Sequence, residues 1–293
     1  MSHPAKKKNQ SRSAILLIHC SDRQGLVASV AEYIHKNNGN ILHLDQHVDQ
    51  QKQVFFMRVE WDLEKFSIPP EIICKSFQTL IADKFSMQWA LHFSDETPQM
   101  AIFVSKKSHC LYDILSRFQS GEWKIKTPLI VSNHPELEPI AKRFGIDFHF
   151  FKITKANRKT QEQQTLKLLQ NYGVDFIVLA RYMQILTDNF VSNYRDKIIN
   201  IHHSFLPAFP GARPYHSAHQ RGVKIIGATS HYVTADLDTG PIIEQDVVHV
   251  SHKDSVEELI RKGQDLEKVV LSRAIWRHIN QKILVYANRT VIF

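Results

Sequence analysis

From residue 100 onward, short apolar segments alternate with longer segments whose apolar residues recur at helical spacing. Alternation of strands and helices is typical of a parallel sheet covered by helices on both faces. We therefore expect a doubly wound, mostly parallel α/β domain over residues 100–293. Its first strands are predicted at 100–104, 128–132, 148–150 and 174–180, and its first helices at 110–118, 135–144 and 159–172.

The preceding residues predict a separate, smaller domain. Residues 13–93 contain segments that indicate strands and helices in the order βαββαβ. The segment 94–99, SDETPQ, is polar and contains Pro, which suits a linker. Residues 1–12 are basic and carry no apolar cluster, so we expect a disordered tail.

Composition limits the cellular setting of the 293-residue chain. No segment approaches the roughly 20 apolar residues of a membrane span, and the basic N-terminus lacks the apolar stretch of a signal peptide. The 3 cysteines, Cys20, Cys74 and Cys110, are scattered and form neither a disulfide framework nor a zinc-binding spacing. We expect a cytoplasmic protein with reduced thiols and no membrane partner.

The net charge of +8 raises the question of a nucleic-acid partner. The one dense basic run is Lys6-Lys7-Lys8, and the other basic residues are interspersed with acidic ones. An anionic small molecule would account for the charge equally well. We therefore expect no nucleic-acid partner.

Two later apolar segments end in polar groups that suit acyl chemistry. The segment 197–201 leads into Asn200, His202 and His203, and the segment 224–233 is followed by Asp238. An amide N–H stabilises an oxyanion, an imidazole donates or transfers protons, and a carboxylate orients a nucleophile. No G-x-S-x-G nucleophile elbow is present, which favours direct attack by water or an amine. The same residue types are also common in turns and on surfaces, so chemistry alone leaves both interpretations open.

The motifs in this region resemble those of the folate-dependent formyltransferase family, which contains transferases and hydrolases of 10-formyltetrahydrofolate. The matching segments are Asn200-Ile201-His202, Leu206-Pro207, Pro210-Gly211, His231-Tyr232-Val233 and Leu237-Asp238-x-Gly240-Pro241. Two further segments resemble the hydrolase members in particular: His203-Ser204-Phe205 and the run from Gly211 to His216. The transferases usually have Pro where this chain has His203.

The resemblance implies an activity and a set of residues. It implies hydrolysis of 10-formyltetrahydrofolate by water to formate and tetrahydrofolate, in one-carbon and purine metabolism, with no cofactor or metal. The family's catalytic Asn, His and Asp correspond to Asn200, His202 and Asp238. The folate contacts it implies are Met183, Gln184, Ile185, Leu186, His203, Ser204, His231, Thr234, Ala235 and Asp236.

Two of these positions admit other interpretations. Residues 183–186 also fit an ordinary apolar entry into a helix. His231 is either a neighbour of Asp238 or a buried strand histidine bonded to backbone. We further expect an irregular, Pro-rich loop over 205–219 beside the site.

Two other functions compete with hydrolysis. The first is formyl transfer to an amine, but no Gly lies between Ser105 and His109, where transferases of phosphorylated substrates have a phosphate-binding loop. The second is an amino-acid sensor whose second domain has lost activity.

Residues 13–93 resemble an ACT domain, a module that binds small molecules. The resemblance rests on the first strand followed by Asp22-Arg23-x-Gly25-Leu26-Val27. It implies a regulatory amino-acid site at a subunit interface, with methionine and glycine as candidate effectors, and hence a homo-oligomer. The residues implied are Asp22, Gln24, Gly25, Leu26 and Asn38. The alternative is a domain used only for packing or oligomerisation.

Overall fold

The computed structural model describes residues 12–207 and 214–293. Within them the chain forms two compact units, 12–96 and 97–292. The division falls inside the segment 94–99 that we expected to be a linker. The expected tail lies outside the described residues apart from Arg12, whose Nε lies 2.9 Å from Asp95 Oδ2.

The first unit is an antiparallel sheet with helices on one face. Its elements are β1 (Ser13–Ser21), α1 (Leu26–Lys36), β2 (Asn40–Asp49), β3 (Val54–Asp62), α2 (Pro70–Phe77), a π-helical turn (Gln78–Ala82), α3 (Asp83–Phe85) and β4 (Gln88–Phe93). The strands lie in the order β2-β3-β1-β4. Alternate residues of β1, such as Leu16 and Ile18, pack against Val30 and Ile34 of α1. The predicted βαββαβ order is confirmed.

The second unit contains a seven-stranded sheet. Its elements are β5 (Gln99–Val104), α4 (His109–Gln119), β6 (Lys126–Ser132), α5 (Glu138–Phe144), β7 (Asp147–Phe150), α6 (Arg158–Asn171), β8 (Phe176–Leu179), α7 (Asp188–Asn193), β9 (Ile198–His202), α8 (Pro214–Arg221), β10 (Ile225–Tyr232), β11 (Ile242–His249), α9 (Val256–Ile279), β12 (Ile283–Tyr286) and β13 (Arg289–Ile292). The last two strands form a separate hairpin.

The seven strands lie in the order β11-β10-β9-β8-β5-β6-β7. From β7 to β9 neighbouring strands are parallel, whereas β10 and β11 are antiparallel to their neighbours. The chain extends from β5 first toward β7 and then, starting at β8, in the opposite direction. The expected doubly wound, mostly parallel sheet is confirmed, and its switch point lies between β5 and β8.

Helices cover both faces of this sheet. On β5, Ile102 and Val104 belong to a core with α4 and α9, while Ala101 and Phe103 belong to a core with α6 and α7. A strand buried on both faces is apolar at successive positions, which explains the continuous apolar segment at 100–104. In the described residues no helix combines the length and apolarity needed to cross a membrane.

The expected irregular loop over 205–219 is wrong at its C-terminal end. Residues Pro214–Arg221 form α8, and residues 208–213 lie outside the described part of the chain. Tyr215 and Ala218 of this helix pack in a small apolar cluster with Val250 and Leu259. Pro is well tolerated at the first position of a helix, so its presence there did not exclude one.

Candidate active site

The strands that carry the predicted catalytic residues run in opposite directions. In the register of β9 and β10, Asn200 lies opposite His231, and His202 lies opposite Thr229. The carboxyl ends of these strands therefore lie at opposite edges of the sheet. The two strand ends therefore do not by themselves bring these groups to one place.

The loop after β10 brings the groups together instead. The Tyr232 N–H donates to the Pro241 carbonyl over 2.9 Å, which closes the base of the loop. At Gly240 a Cβ would lie 1.8 Å from the Tyr232 carbonyl oxygen, so a residue with a side chain does not fit without a backbone shift. The loop folds back toward β9 and carries Asp238, whose φ of 57° is in the left-handed region.

Asp238 contacts both imidazoles of the site. Its Oδ2 lies 3.3 Å from His202 Nδ1, and its Oδ1 lies 3.7 Å from His231 Nε2. The contact with His202, and after it that with His231, holds the pKa of Asp238 well below its usual range and outweighs the opposing effect of burial. Its side chain is 20% exposed. The site therefore contains an ionised carboxylate that water can reach.

His231 orients Asn200 through its two ring nitrogens. Its Nδ1 lies 2.9 Å from the Tyr232 carbonyl oxygen, which only accepts, so Nδ1 carries the hydrogen. In the neutral ring Nε2 then accepts from Asn200 Nδ2, 3.2 Å away. The Ser230 hydroxyl donates to the backbone carbonyl of Asn200 over 2.9 Å. Both interpretations of His231 hold, because it is bonded to backbone and lies beside Asp238.

His202 and His203 form a buried pair of rings. Their centroids lie 5.1 Å apart. Burial, followed by the charge of Arg181, lowers the pKa of His203 to about 4, so this ring is neutral at physiological pH. His202 Nε2 and Ser204 Oγ are buried and have no hydrogen-bond partner among the described residues. His202 thus keeps one ring nitrogen available for a ligand.

These residues border a cavity of about 370 Å³, within the range of small-molecule sites. All the predicted catalytic residues lie on its wall. The predicted folate contacts on the wall are Met183, Gln184, Ile185, Leu186, His203, His231, Thr234, Ala235 and Asp236. Ser204 is the predicted contact that is not on the described wall. The structure therefore brings twelve of the thirteen predicted residues to one cavity.

The cavity wall after β8 is irregular rather than helical. The Met183 N–H donates to Ser105 Oγ over 2.9 Å, and Ser105 Oγ donates to Asn133 Oδ1 over 2.6 Å. Ser105 follows β5, so this network lies at the switch point of the sheet. The next helix, α7, begins only at Asp188. Residues 183–186 precede the capping residue Thr187 without belonging to the helix, and Leu186 is buried. Met183 and Ile185 are more than half exposed, at 56% and 52%.

Sequence reasoning did not select Arg181, which also borders the cavity. Its backbone φ is 64° and its Nε lies 3.5 Å from Glu267 Oε2. The signal available was its position directly after β8, at the edge where the crevice of a doubly wound sheet lies. Glu267, on α9, had no comparable signal because its neighbours come from distant parts of the sequence.

His109, Cys110 and Glu267 are the described residues whose ligand atoms lie close enough to one another to suggest a metal site. Both oxygens of Glu267 are engaged, by His109 Nε2 at 2.7 Å and by the Tyr215 hydroxyl at 2.8 Å. Burial, and then the charge of Glu267, raises the pKa of Cys110, so the thiol remains protonated. These residues form a hydrogen-bonded group that does not fit a cation.

The predicted regulatory residues are not all together in one chain. Asp22, Gln24 and Gly25 precede α1, whereas Asn38 follows it. The 11 residues of α1 span about 16 Å at ~1.5 Å per residue, which separates the two ends. Gly25 has a φ of 88° and open space around its Cα, while Leu26 is buried in the core. The regulatory site and its place at a subunit interface stay predictions.

Comparison with known proteins identifies the family. The sequence profile of the family described as Formyl transferase matches residues 98–275. A curated protein from Synechocystis sp., named formyltetrahydrofolate deformylase, is 56% identical over 285 residues, covering 97% of this chain and 99% of the relative. The chain belongs to the formyltetrahydrofolate deformylase family.

Other members of the deformylase family agree with this assignment. The formyltetrahydrofolate deformylase of Bacillus subtilis is 44% identical over 279 residues, covering 95% of this chain and 93% of the relative. The crystal structure of a deformylase from Pseudomonas syringae pv. tomato superposes with a TM-score of 0.94 at 40% identity, covering 98% of this chain and 96% of that one. The likeness therefore includes both units of the chain.

Proposed function

We propose that this chain hydrolyses 10-formyltetrahydrofolate with Asn200, His202 and Asp238 as its catalytic residues. Family membership supports the reaction, since the relatives of full length are formyltetrahydrofolate deformylases. The observation that carries the residue assignment is the contact between Asp238 and His202, 3.3 Å, on the wall of a cavity that Asn200 also borders.

Asp238 orients the attacking water. It is ionised and partly exposed, and its Oδ2 contacts His202, so Oδ1 can accept a hydrogen bond from water. The water oxygen attacks the formyl carbon, and its proton passes to the carboxylate or to solvent. Asp238 acts here as a positioned base, since its low pKa makes it a weak one.

Asn200 and His202 stabilise the oxygen that becomes negative in the tetrahedral intermediate. The side-chain amide of Asn200 is held by His231, so it has little freedom to reorganise during the reaction. Protonated His202 donates through Nδ1 to Asp238 and has Nε2 free for the substrate oxygen. When the bond from carbon to N10 breaks, N10 receives a proton, and formate and tetrahydrofolate result.

The cavity supports a folate at this place. Its wall combines apolar side chains, including Met183, Ile185 and Leu186, with the backbone groups of the loop 233–241. A pterin presents a rigid row of donors and acceptors that backbone groups match well. The apolar side chains then cover its ring faces.

The decisive experiment measures formate release by the purified chain from 10-formyltetrahydrofolate without any amine. Hydrolysis predicts one formate per tetrahydrofolate formed. A matched pair of variants tests the assignment: Asp238→Asn within the site and Asp265→Asn on α9, off the described cavity wall. Formate release that needs an added amine would establish formyl transfer instead.

For the first unit we propose a regulatory amino-acid site shared between two copies of the chain. The open space at Gly25 and the separation of Asn38 from Asp22 support a site completed by a partner. The assay with and without methionine and glycine tests it, with Gly25→Val as the variant. An unchanged rate at every amino-acid concentration, with no binding detected by calorimetry, would contradict the proposal. A cytoplasmic location also remains a prediction.

A further inference from the structure

A cluster of polar groups lies buried behind the two histidines of the site. We call His109, Arg181, Tyr215 and Glu267 the Glu267 cluster. Glu267 is 1% exposed, and its carboxylate accepts from His109 Nε2 at 2.7 Å and from the Tyr215 hydroxyl at 2.8 Å. Arg181 Nε lies 3.5 Å from the same carboxylate. The mechanism derived above assigns no role to these residues.

The cluster is built from four separate elements. His109 opens α4, Arg181 follows β8, Tyr215 lies on α8 and Glu267 lies on α9. Gly263, one turn before Glu267, leaves the space for the tyrosine, because a Cβ there would lie 2.1 Å from the Tyr215 hydroxyl. A buried charge is costly unless it is paired and hydrogen-bonded, and this carboxylate meets both conditions.

The charges of the cluster act on His203, the neighbour of His202. Burial raises the pKa of Glu267, but the hydrogen bond from His109 and the charge of Arg181 outweigh it, so the group is ionised. The charge of Arg181 lowers the pKa of His203 and the charge of Glu267 raises it, so the two charges have opposite effects on this ring. The His203 ring in turn lies 5.1 Å from His202 and 6.0 Å from Tyr215.

We propose that Glu267 is a positioning residue for catalysis, holding Arg181 against α9 and cancelling the field of this buried cation so that His202 can carry a proton during the reaction. The inference rests on the proposed function, in which protonated His202 donates to the oxyanion. Without Glu267, an uncompensated cation would disfavour a second positive charge nearby. Without Arg181, the carboxylate of Glu267 would favour a positive charge on His202.

The titratable and charged groups packed around this histidine pair come from every neighbouring element. They are Asp238 from the loop, His231 from β10, Arg181 after β8, Tyr215 from α8, Glu267 from α9, and His109 and Cys110 from α4. Burial raises the pKa of Tyr215, so its hydroxyl stays neutral and contributes a hydrogen bond but no charge. Arg181 and Glu267 are the pair whose removal changes the charge behind the rings.

The experiment records kcat and KM against pH for the full-length chain. When the histidine loses its proton, kcat falls on the alkaline side of the pH profile. A change of charge near the histidine shifts the pH at which this alkaline limb falls. We expect Glu267→Gln to move it down by about 1 pH unit and Arg181→Gln to move it up by a similar amount, from the size of Coulomb terms at this depth. The double variant restores it toward the wild type. KM for the folate changes less than about threefold in Glu267→Gln.

Two control variants separate charge from packing. Tyr215→Phe removes a hydrogen bond to Glu267 but no charge, so the limb stays in place. Glu244→Gln breaks another buried carboxylate, paired with Arg277, that lies off the described cavity wall, and it leaves both kcat and the limb unchanged. If Glu267→Gln and Tyr215→Phe lose kcat equally and neither moves the alkaline limb, Glu267 has only a packing role and the proposal is overturned.

A further pair of variants keeps the test independent of the folding of Glu267→Gln. Arg181→Lys retains the positive charge, so its limb stays near the wild-type position, while that of Arg181→Gln rises. Coincident profiles for these two variants would overturn the proposal. A wild-type chain that releases no formate overturns the proposed function together with this inference, whereas an active wild type with immobile limbs overturns the inference alone.

Discussion

Asn200 and His231 face each other across antiparallel strands, with Nδ2 of the amide 3.2 Å from Nε2 of the ring. The imidazole is itself fixed by the Tyr232 carbonyl, 2.9 Å from Nδ1. The antiparallel register therefore sets the orientation of the amide that the proposed mechanism uses. The strand β10 runs antiparallel to β9. A parallel pairing would not place these two side chains opposite each other in the same way.

Asp238→Asn should lower kcat by about 10²–10³ with little change in KM, since the amide keeps the shape but cannot attract or deprotonate water as a carboxylate does. Steady-state formate release checks this. The control is Asp265→Asn on α9, whose exposed side chain lies off the described cavity wall. Near-normal turnover by Asp238→Asn would exclude it from the chemistry.

Asn200→Ala should also reduce kcat by about 10²-fold, because it removes a fixed donor to the oxyanion. His231→Phe should cause a smaller loss, since it frees the amide to rotate but leaves it present. Rates for the two single variants and the double variant distinguish these roles. If the double variant is no slower than Asn200→Ala, His231 acts through Asn200; fully additive losses would show an independent role.

The low pKa of Asp238 predicts how its contribution to stability depends on pH. The folded-state pKa lies below the unfolded value of about 3.9, so the ionised group stabilises the fold above that value. The stabilisation disappears as pH falls through the folded-state pKa. The difference in Tm between wild type and Asp238→Asn should therefore be constant near neutral pH and shrink from about pH 4 downward. A difference that grows on acidification would contradict this assignment.

Gly240→Ala should disrupt the loop that carries Asp238. Its Cβ would lie 1.8 Å from the Tyr232 carbonyl oxygen, so the backbone must shift. We expect a loss of activity of at least about 10²-fold, because a displacement of ~1 Å in catalytic geometry has effects of this size. Gly222→Ala, at a positive φ of 68° but with open space, is the control for glycine replacement in general. Equal activity in both variants would show that the close approach is dispensable.

Gly263→Ala should displace the Tyr215 ring, because the added Cβ would lie 2.1 Å from its hydroxyl. Overpacking of this kind costs about 1–3 kcal/mol, against the gain of ~1 kcal/mol expected for Gly→Ala within a helix. Thermal unfolding of Gly263→Ala and of the pair Gly263→Ala with Tyr215→Ala checks it. Tyr215→Ala alone removes a buried ring, so the single Tyr215→Ala variant is the reference. Gly263→Ala should lower Tm less in that background than in the wild type, and equal decreases would show that the contact is not the cause.

The sequence was sufficient for most of the fold and for the residues on the cavity wall. Apolar segments such as 100–104 indicate buried strands whatever their neighbours in the sheet. The capping box of Ser255 and Glu258 marks the start of α9 by local hydrogen bonds. The motifs supplied Asn200, His202 and Asp238. Each of these signals depends on neighbours in sequence or on a family pattern.

What the sequence did not predict depends on relations between distant segments. The direction of β10 relative to β9 is set by the connection through α8, which a Pro-rich stretch concealed. The Glu267 cluster joins residues as far apart as His109 and Glu267, 158 positions in the chain. An isolated glutamate on a helix shows no pattern that would reveal a buried partner.

The loop 233–241 lies entirely between two antiparallel strands and is anchored at its base by Tyr232 and Pro241. Asn200 lies on β9 and Asp238 lies on the loop after β10, its neighbour in the sheet. The strands β6 and β7 lie at the opposite end of the strand order. Insertions or surface changes in that far wing would leave the geometry of the reacting groups intact.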